Sequence, residues 1–554
     1  LSLCARPSHP SISTTSLIAS EMAVIDQAAV SVRSIVPLES IDHRSQNATP
    51  TIAILAFIGA CAIAKLLAAR ASGFTGDEAY TIVISRSFQL SYFDHPPLHQ
   101  WIVHGFGTLF GEGWWLCIPF LVMAEAINLP LYGLTRRLFG RDAALWALFG
   151  FNATVYFVVW PDGLILPDVP LFLFLTAGVW AIAEILFGPA RRPGAVLALW
   201  LLAGAAFGFA GLSKYAALFA PIGLLGFLAF SPCHRRWFWR PQPYLAAALA
   251  LAIFSPALIW NYQNDWVSFA FQSGRAASGA SVDASAFSAF GAAFGAQVAL
   301  LSPWVGVPLI IALAGAVRSS SASSASRFLL WLVAVPLVLF LSMPFIGKTS
   351  IPHWFNSAWL FAFPLLGHSL SKKSAKWLRS WAQASAALTA ACFALFVAYV
   401  TAGPFWQTAS AKASKQDPTQ WSYNWRGLTE SSAWRSFGAE THAFVVVDNW
   451  RVGGKTGAAF GPDVPVCAFS QDPREFAFVC HEKALLGQDA LIIIPKERSE
   501  KALAALAPYF KQFDPSEEIA LGRGRRTERI MTLTRAHVLL RPYPLPFGDV
   551  HQKL

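Results

Sequence analysis

The chain has 554 residues, is 55% hydrophobic and 13% charged, and carries a formal net charge of +11. That balance excludes an ordinary soluble domain, because several apolar runs reach the ~20 residues a helix needs to cross a bilayer. The positive charge sits mainly in short loops between apolar runs, and no basic stripe is interleaved with stacking aromatics, so no nucleic-acid partner is expected.

Residues 1–49 are mostly polar, Ser-rich and open on Leu1; Met22 offers an alternative start that would make residues 1–21 an artefact of start assignment. The run at 51–69 is too long for a cleavable signal and lacks a clear cleavage site, so it reads as a retained first transmembrane helix. Further apolar runs lie near 114–134, 143–160, 168–187, 194–212, 215–230, 243–260, 288–316, 328–345, 352–369 and 381–401. The run at 97–110 carries His99 and His104 and is too short to span; it reads as interfacial, re-entrant or an extension of the next helix.

Eleven crossings give a topology that charge can check. One set of loops holds Arg136, Arg137, Arg141, Arg191, Arg192, Arg235, Arg236, Arg240, Arg318, Arg327, Lys372, Lys373, Lys376 and Arg379. The opposite set holds Arg70, Arg86, Lys214, Arg275 and Lys348. The first set is therefore expected in the cytoplasm, with the N-terminus inside and the chain after about residue 402 outside. In that tail, 443–447 and 490–494 are short apolar runs bounded by polar residues, as buried strands are. Residues 499–513 have helical spacing, and 529–534 reads as a further strand. The expected organisation is a polar segment at 1–49, a transmembrane catalytic domain at 50–401 with a first outer loop at 70–113, and a small α/β domain at 402–554. Seven cysteines show no metal-ligand spacing; Cys61, Cys117 and Cys392 lie in apolar runs, while Cys467 and Cys480 would either pair or stay free in an exported tail.

Chemistry gathers on the outer side. Asp77 and Glu78 follow the first apolar run, and Asp94-His95 come soon after. Asp162, Asp168, Lys214, Tyr215, Asn261, Asn264, Asp265, Gln272, Arg275, Lys348, His353 and Trp354 fall near the outer ends of other helices. Ionisable groups are costly to keep beside a bilayer, and a bundle would bring these around one cavity. Carboxylates and cations together suit group transfer from a charged donor: cations neutralise a phosphate leaving group, and a carboxylate orients or deprotonates an acceptor hydroxyl. Each residue also has a plainer reading. Asp77 and Glu78 would serve as helix-capping acids, Asp94 as part of a turn before Pro96-Pro97, and Asp168 as an N-cap. Lys214 would snorkel, and His353-Trp354 would anchor at the interface.

The ordered series Gly76-Asp77-Glu78-Ala79-Tyr80, Tyr92-Phe93-Asp94-His95-Pro96-Pro97-Leu98, Arg137-Leu138-Phe139-Gly140 and Pro167-Asp168-Val169-Pro170-Leu171 opens a longer pattern. It continues through Leu212-Ser213-Lys214-Tyr215, the stretch from Trp260 to Gln272, and Pro352-His353-Trp354. This series, over roughly residues 70–370, resembles bacterial members of glycosyltransferase family 39 and their aminoarabinose-transferase relatives. The resemblance implies a polytopic α-helical membrane fold of the GT-C type, with about 11 transmembrane helices and a small α/β domain outside the cytoplasm. It also implies a polyprenyl-phosphate-linked sugar donor, an envelope acceptor (lipid A, another glycan, a lipid or a protein), and residence in a bacterial inner membrane. Asp77 would be the essential first-loop aspartate, and Glu78, grouped with it in the catalytic set, would help shape the same loop. Asp94 and His95 would lie at the donor phosphate or sugar; in the aminoarabinose relatives this pair is Glu-Lys, so the cation here is a titratable imidazole. Asp168, Lys214, Tyr215, Lys348 and His353 complete the expected substrate-binding set. No obligatory cofactor is expected; an oxygen-rich shell around Asp77, Glu78 and Asp94 is the candidate divalent-metal site. The competing function is a polytopic transporter or flippase of lipid-linked saccharides, but no internal repeat is evident and the charges cluster at outer ends rather than at the midplane.

Overall fold

The computed structural model describes residues 51–159, 163–276, 284–319, 323–346, 351–402, 425–437, 443–523 and 526–546. The 1–49 segment, Asp162 and Lys348 lie outside the described residues.

Among the described residues, seven helices are long and apolar enough to cross a membrane: Thr51–Ser72, Trp114–Phe139, Asp168–Phe187, Pro193–Ser213, Pro241–Gln263, Ser324–Phe345 and Ala375–Ala402. An eighth is reached if a bent pair counts as one span, and Tyr215–Phe230 is a shorter apolar helix. The single crossing expected at 288–316 is in fact two helices, Phe287–Leu300 and Pro303–Arg318, bent by 114°. Ser302 at φ 65° takes a left-handed backbone there, and Pro303 starts the second helix, where its missing N–H costs nothing.

Two expected crossings prove to be the packed centre of the bundle. Arg141–Asn152 is buried at every residue from Ala143 onward, and Asn356–Leu370 is buried along nearly its whole length. A helix that is apolar on all sides needs neighbours on all sides. Here the two pack on each other through Gly367, where a Cβ would stand 2.1 Å from the Ala143 carbonyl oxygen. The 98–110 run is a separate 13-residue helix, Leu98–Phe110, with Leu109 and Phe110 exposed, as an interfacial helix requires.

The C-terminal part is an α/β unit. Its strands are β1 (Ala443–Val447), β2 (Val466–Ala468), β3 (Asp489–Pro495), β4 (Phe510–Phe513), β5 (Glu517–Arg523) and β6 (Arg526–Leu539), with the order β2-β1-β3-β6-β4 and β5 also paired to β6. β1 runs parallel to β2 and β3, with Val445 opposite Val466 on one side and Leu491 on the other; β6 runs antiparallel to β3. The helix expected at 499–513 runs Lys496–Leu506, and its expected end is β4 instead.

Strand periodicity of two explains how this unit meets the membrane part. Val445, Val447, Leu491 and Ile493 face one way and pack with Tyr80, Val83, Ile84, Tyr92 and Trp450. Phe444, Val446, Ala490, Ile492 and Ile494 face the other way, in a cluster that takes in Phe93, Trp260 and Val267. The two parts also meet helix to helix. Trp450–Phe460 lies so close to Gly76–Ser85 that a Cβ on Gly454 would stand 2.5 Å from Tyr80 N and Cα, and one on Gly457 would stand 2.8 Å from a Val83 methyl. Between these glycines, buried Lys455 donates from Nζ to the Phe74 carbonyl at 2.7 Å.

The helix Gly76–Ser85 is fixed at its start by a capping box. Glu78 N–H donates to Thr75 Oγ1 at 3.3 Å, and Thr75 N–H donates to Glu78 Oε2 at 2.9 Å. The other Glu78 oxygen accepts from Leu164 N–H at 2.7 Å and Ile165 N–H at 3.1 Å, tying the first loop to the segment before Asp168. Gly163, at φ 98°, leaves the room: a Cβ there would stand 2.1 Å from Glu78 Cδ.

Two stability predictions follow from these contacts. Gly454→Leu is expected to cost about 2 kcal/mol by overpacking and to lower the unfolding temperature in detergent. Gly59→Leu, where a Cβ meets nothing within 4 Å, is expected to leave it unchanged. Glu78→Ala strands three N–H groups and is expected to cost about 3 kcal/mol, read by the same thermal unfolding.

Candidate active site

A cavity of about 470 Å³ lies where the ends of the membrane helices meet the C-terminal unit. It is lined by Asp77, Tyr80, Asp94, His95, His99, Asp168, Lys214, Tyr215, Gln272, His353, Trp354, Arg451 and Arg474, among others. Local structure explains the convergence. Asp77 sits in the first turn of Gly76–Ser85, Asp168 opens Asp168–Phe187, and Lys214 caps the C-terminus of Pro193–Ser213. Two antiparallel helices therefore present one a carboxylate and the other an ammonium at the same end.

Each aspartate in the cavity meets a cation. Lys214 Nζ donates to both Asp168 oxygens at 2.9 and 2.8 Å. Arg474 Nη1 donates to Asp94 Oδ2 at 3.2 Å, and Arg451 Nη2 lies 3.7 Å from Asp77 Oδ1. The last pair is the open one: the Asp77 side chain is 37% exposed, against 4% for Asp94 and 8% for Asp168. An open carboxylate in a cavity walled by fixed charges can take a proton from, or orient, an incoming hydroxyl.

The other expected site residues are distributed as follows. Tyr215 lines the cavity, its hydroxyl 2.7 Å from Ser268 Oγ and 3.4 Å from the donating Asn261 Nδ2. His95 and His353 line it as well, and the His95 and His99 rings meet edge to face at 5.8 Å. Burial, and then His95, hold the His99 imidazole well below its usual range, so it is neutral at physiological pH. Asn261 and Asn264 stand behind the wall, bonded to the carbonyls of Ala257 and Trp260. Lys214 does not snorkel; its ammonium is held by Asp168.

Glu78 is the correction. It is buried, does not line the cavity, and spends its carboxylate on three backbone N–H groups, those of Thr75, Leu164 and Ile165, rather than on a substrate. Burial pushes its carboxyl upward even against those donors. Its place beside Asp77 in sequence misleads because neighbours on a helix point about 100° apart. Asp77 and Asp94 line the cavity and Glu78 does not, so the three do not face one another around a common point. Among the described residues no group of three or more His, Cys, Asp or Glu converges in a way that could hold a metal ion.

Arg451, Arg474 and Tyr80 are the residues that motif reading missed. Arg451 follows β1 at the start of helix Trp450–Phe460, stacked 4.4 Å over Trp450, and Arg474 lies beyond β2. Both therefore sit beyond the carboxyl ends of parallel strands, where open α/β sheets bind ligands. That rule, applied to the apolar run at 443–447, is the signal that would have found Arg451.

Residues 94–260 match the profile of the dolichyl-phosphate-mannose-protein mannosyltransferase family. Lipid A galacturonosyltransferase RgtD of Rhizobium johnstonii is 29% identical over 199 residues, which are 35% of this chain and 40% of that protein. The match thus spans about two fifths of that curated relative's length. Two crystal structures of ArnT from Cupriavidus metallidurans, one bound to undecaprenyl phosphate and one in the apo state, share the fold at a TM-score of 0.63 and 14% identity. They cover 88% and 87% of this chain, and 98% and 97% of their own. In its motifs and profile match this chain is similar to the GT-C glycosyltransferases of the family-39 type, and it shares the ArnT fold.

Proposed function

We propose that the protein transfers a sugar from a polyprenyl-phosphate carrier to an envelope acceptor (lipid A, another glycan, a lipid or a protein), with inversion at the anomeric carbon. The observation that carries this reading is the cavity in which Asp77, half open, faces fixed cation–carboxylate pairs at the ends of membrane helices. The acceptor oxygen attacks the anomeric carbon, the bond from that carbon to the phosphate oxygen breaks, and the lipid phosphate keeps the electron pair. The acceptor proton passes to Asp77; where the acceptor is itself a phosphate, Asp77 only positions it. Lys214 and the histidines that line the cavity meet the negative charge of the leaving phosphate. Lys348 joins this set on its sequence position alone.

The loop-charge asymmetry supports an outer, periplasmic location for this site and for residues 402–554, with the N-terminus in the cytoplasm of a bacterial inner-membrane protein. The Cys467–Cys480 disulfide supports the same placement, since such bonds persist in oxidising compartments. The reaction calls for no obligatory cofactor, because the donor brings its own leaving group. Galacturonate is the first sugar to test, given the relative named above.

Purified protein in nanodiscs, given a polyprenyl-phosphate sugar and extracted envelope lipid, is expected to release polyprenyl phosphate and a glycosylated product detectable by mass spectrometry. Asp77→Asn is expected to lower that rate by about 10²- to 10⁴-fold with unfolding temperature unchanged. A wild-type rate in Asp77→Asn, or movement of intact donor without release of lipid phosphate, contradicts the proposal.

A further inference from the structure

The motif aspartate Asp94 is held from three sides. Tyr80 donates from its hydroxyl to Oδ1 at 3.3 Å, Gln272 Nε2 donates to the Asp94 carbonyl at 2.6 Å, and Arg474 takes Oδ2. The residue after Arg474 grips the same loop. Buried Glu475 accepts Phe93 N–H on Oε2 at 2.6 Å and Gln89 Nε2 on Oε1 at 2.7 Å, and its own N–H donates to the Tyr80 hydroxyl at 3.0 Å. Gln89 in turn accepts from Trp260 Nε1 at 3.0 Å. One dipeptide of the C-terminal unit thus fixes the backbone before Asp94, the Asp94 carboxylate and the tyrosine that binds it.

The dipeptide is itself built to be rigid. The Arg474 guanidinium lies 3.8 Å from the Trp450 ring centroid and 5.7 Å from that of Phe271, so its plane is set by stacking as well as by the ion pair. Arg474 has φ 50°, a left-handed backbone uncommon for a residue with a side chain, and such outliers persist where surrounding contacts over-determine them. The segment carrying both residues is closed by the Cys467–Cys480 bridge.

We propose that Arg474 and Glu475 are positioning residues of the sugar-transfer site, holding Asp94 and its loop in place, so that the site is complete only with the C-terminal unit docked. This rests on the function proposed above. Arg474 acts through Asp94, and Glu475 acts through the Phe93 peptide and Tyr80.

The test uses the full chain in nanodiscs with Arg474→Met, Arg474→Lys, Glu475→Ala and Glu475→Gln. In hydrogen–deuterium exchange, Arg474→Met and Glu475→Ala are expected to raise exchange across 87–97 at least tenfold, while 489–495 stays protected as in the wild type. The Lys and Gln variants are expected to fall between. In the transfer assay Arg474→Met is expected to lose at least tenfold, but less than twofold when added to Asp94→Asn, because both changes remove one interaction. Unaltered exchange in both truncations overturns the proposal, as does an Arg474→Met loss that is undiminished in the Asp94→Asn background. A wild-type protein that turns over no donor would instead refute the proposed function, and the exchange arm would still decide whether the dipeptide holds the loop.

Discussion

The site depends on the close crossing of two helices, Trp450–Phe460 on Gly76–Ser85, made through Gly454 and Gly457. That crossing brings the C-terminal unit near enough to deliver Arg451 and Arg474 beside Asp77 and Asp94. Both faces of the sheet share apolar clusters with residues of the membrane part, so water is excluded around the crossing. Apolar burial supplies the driving force and the glycines supply the distance.

Three cation–carboxylate pairs in one cavity are a poor way to gain stability, since taking charges out of water costs about as much as their attraction returns. Their value lies in pre-organisation. With Asp77, Asp94 and Asp168 matched by Arg451, Arg474 and Lys214, these six residues sum to no net charge. A lipid phosphate entering such a site meets oriented cations without facing a field of bare carboxylates. Asp77 is the most exposed of the three carboxylates, at 37%.

Much of this was legible in the sequence because helix ends are local features. Asp168 and Lys214 flank apolar runs, and runs of twenty residues must bring their ends to one face or the other. The α/β tail was legible from β1 and β3 because buried parallel strands are continuous apolar runs, whereas β2, with three residues, and half-exposed β4 carry too little pattern. Burial was not legible in the same way, because hydropathy cannot tell a bundle centre such as Asn356–Leu370 from a lipid-facing helix. Glu78 was misread because its partners, the Leu164 and Ile165 amides, are about eighty-six residues away and invisible to motif spacing. Arg451 and Arg474 were missed for the same reason: their meaning comes from a tertiary contact across more than 370 residues.

The central claim is that this cavity receives the phosphate of a lipid-linked sugar. The most direct measurement is a cryo-electron microscopy map of the wild-type protein in nanodiscs with polyprenyl phosphate added. The account predicts the phosphate inside the cavity, within hydrogen-bond reach of Lys214 or the His95–His353 side, with the lipid tail leaving between membrane helices. A phosphate bound elsewhere, with the cavity still holding its three internal ion pairs undisturbed and no lipid density beside them, would contradict it.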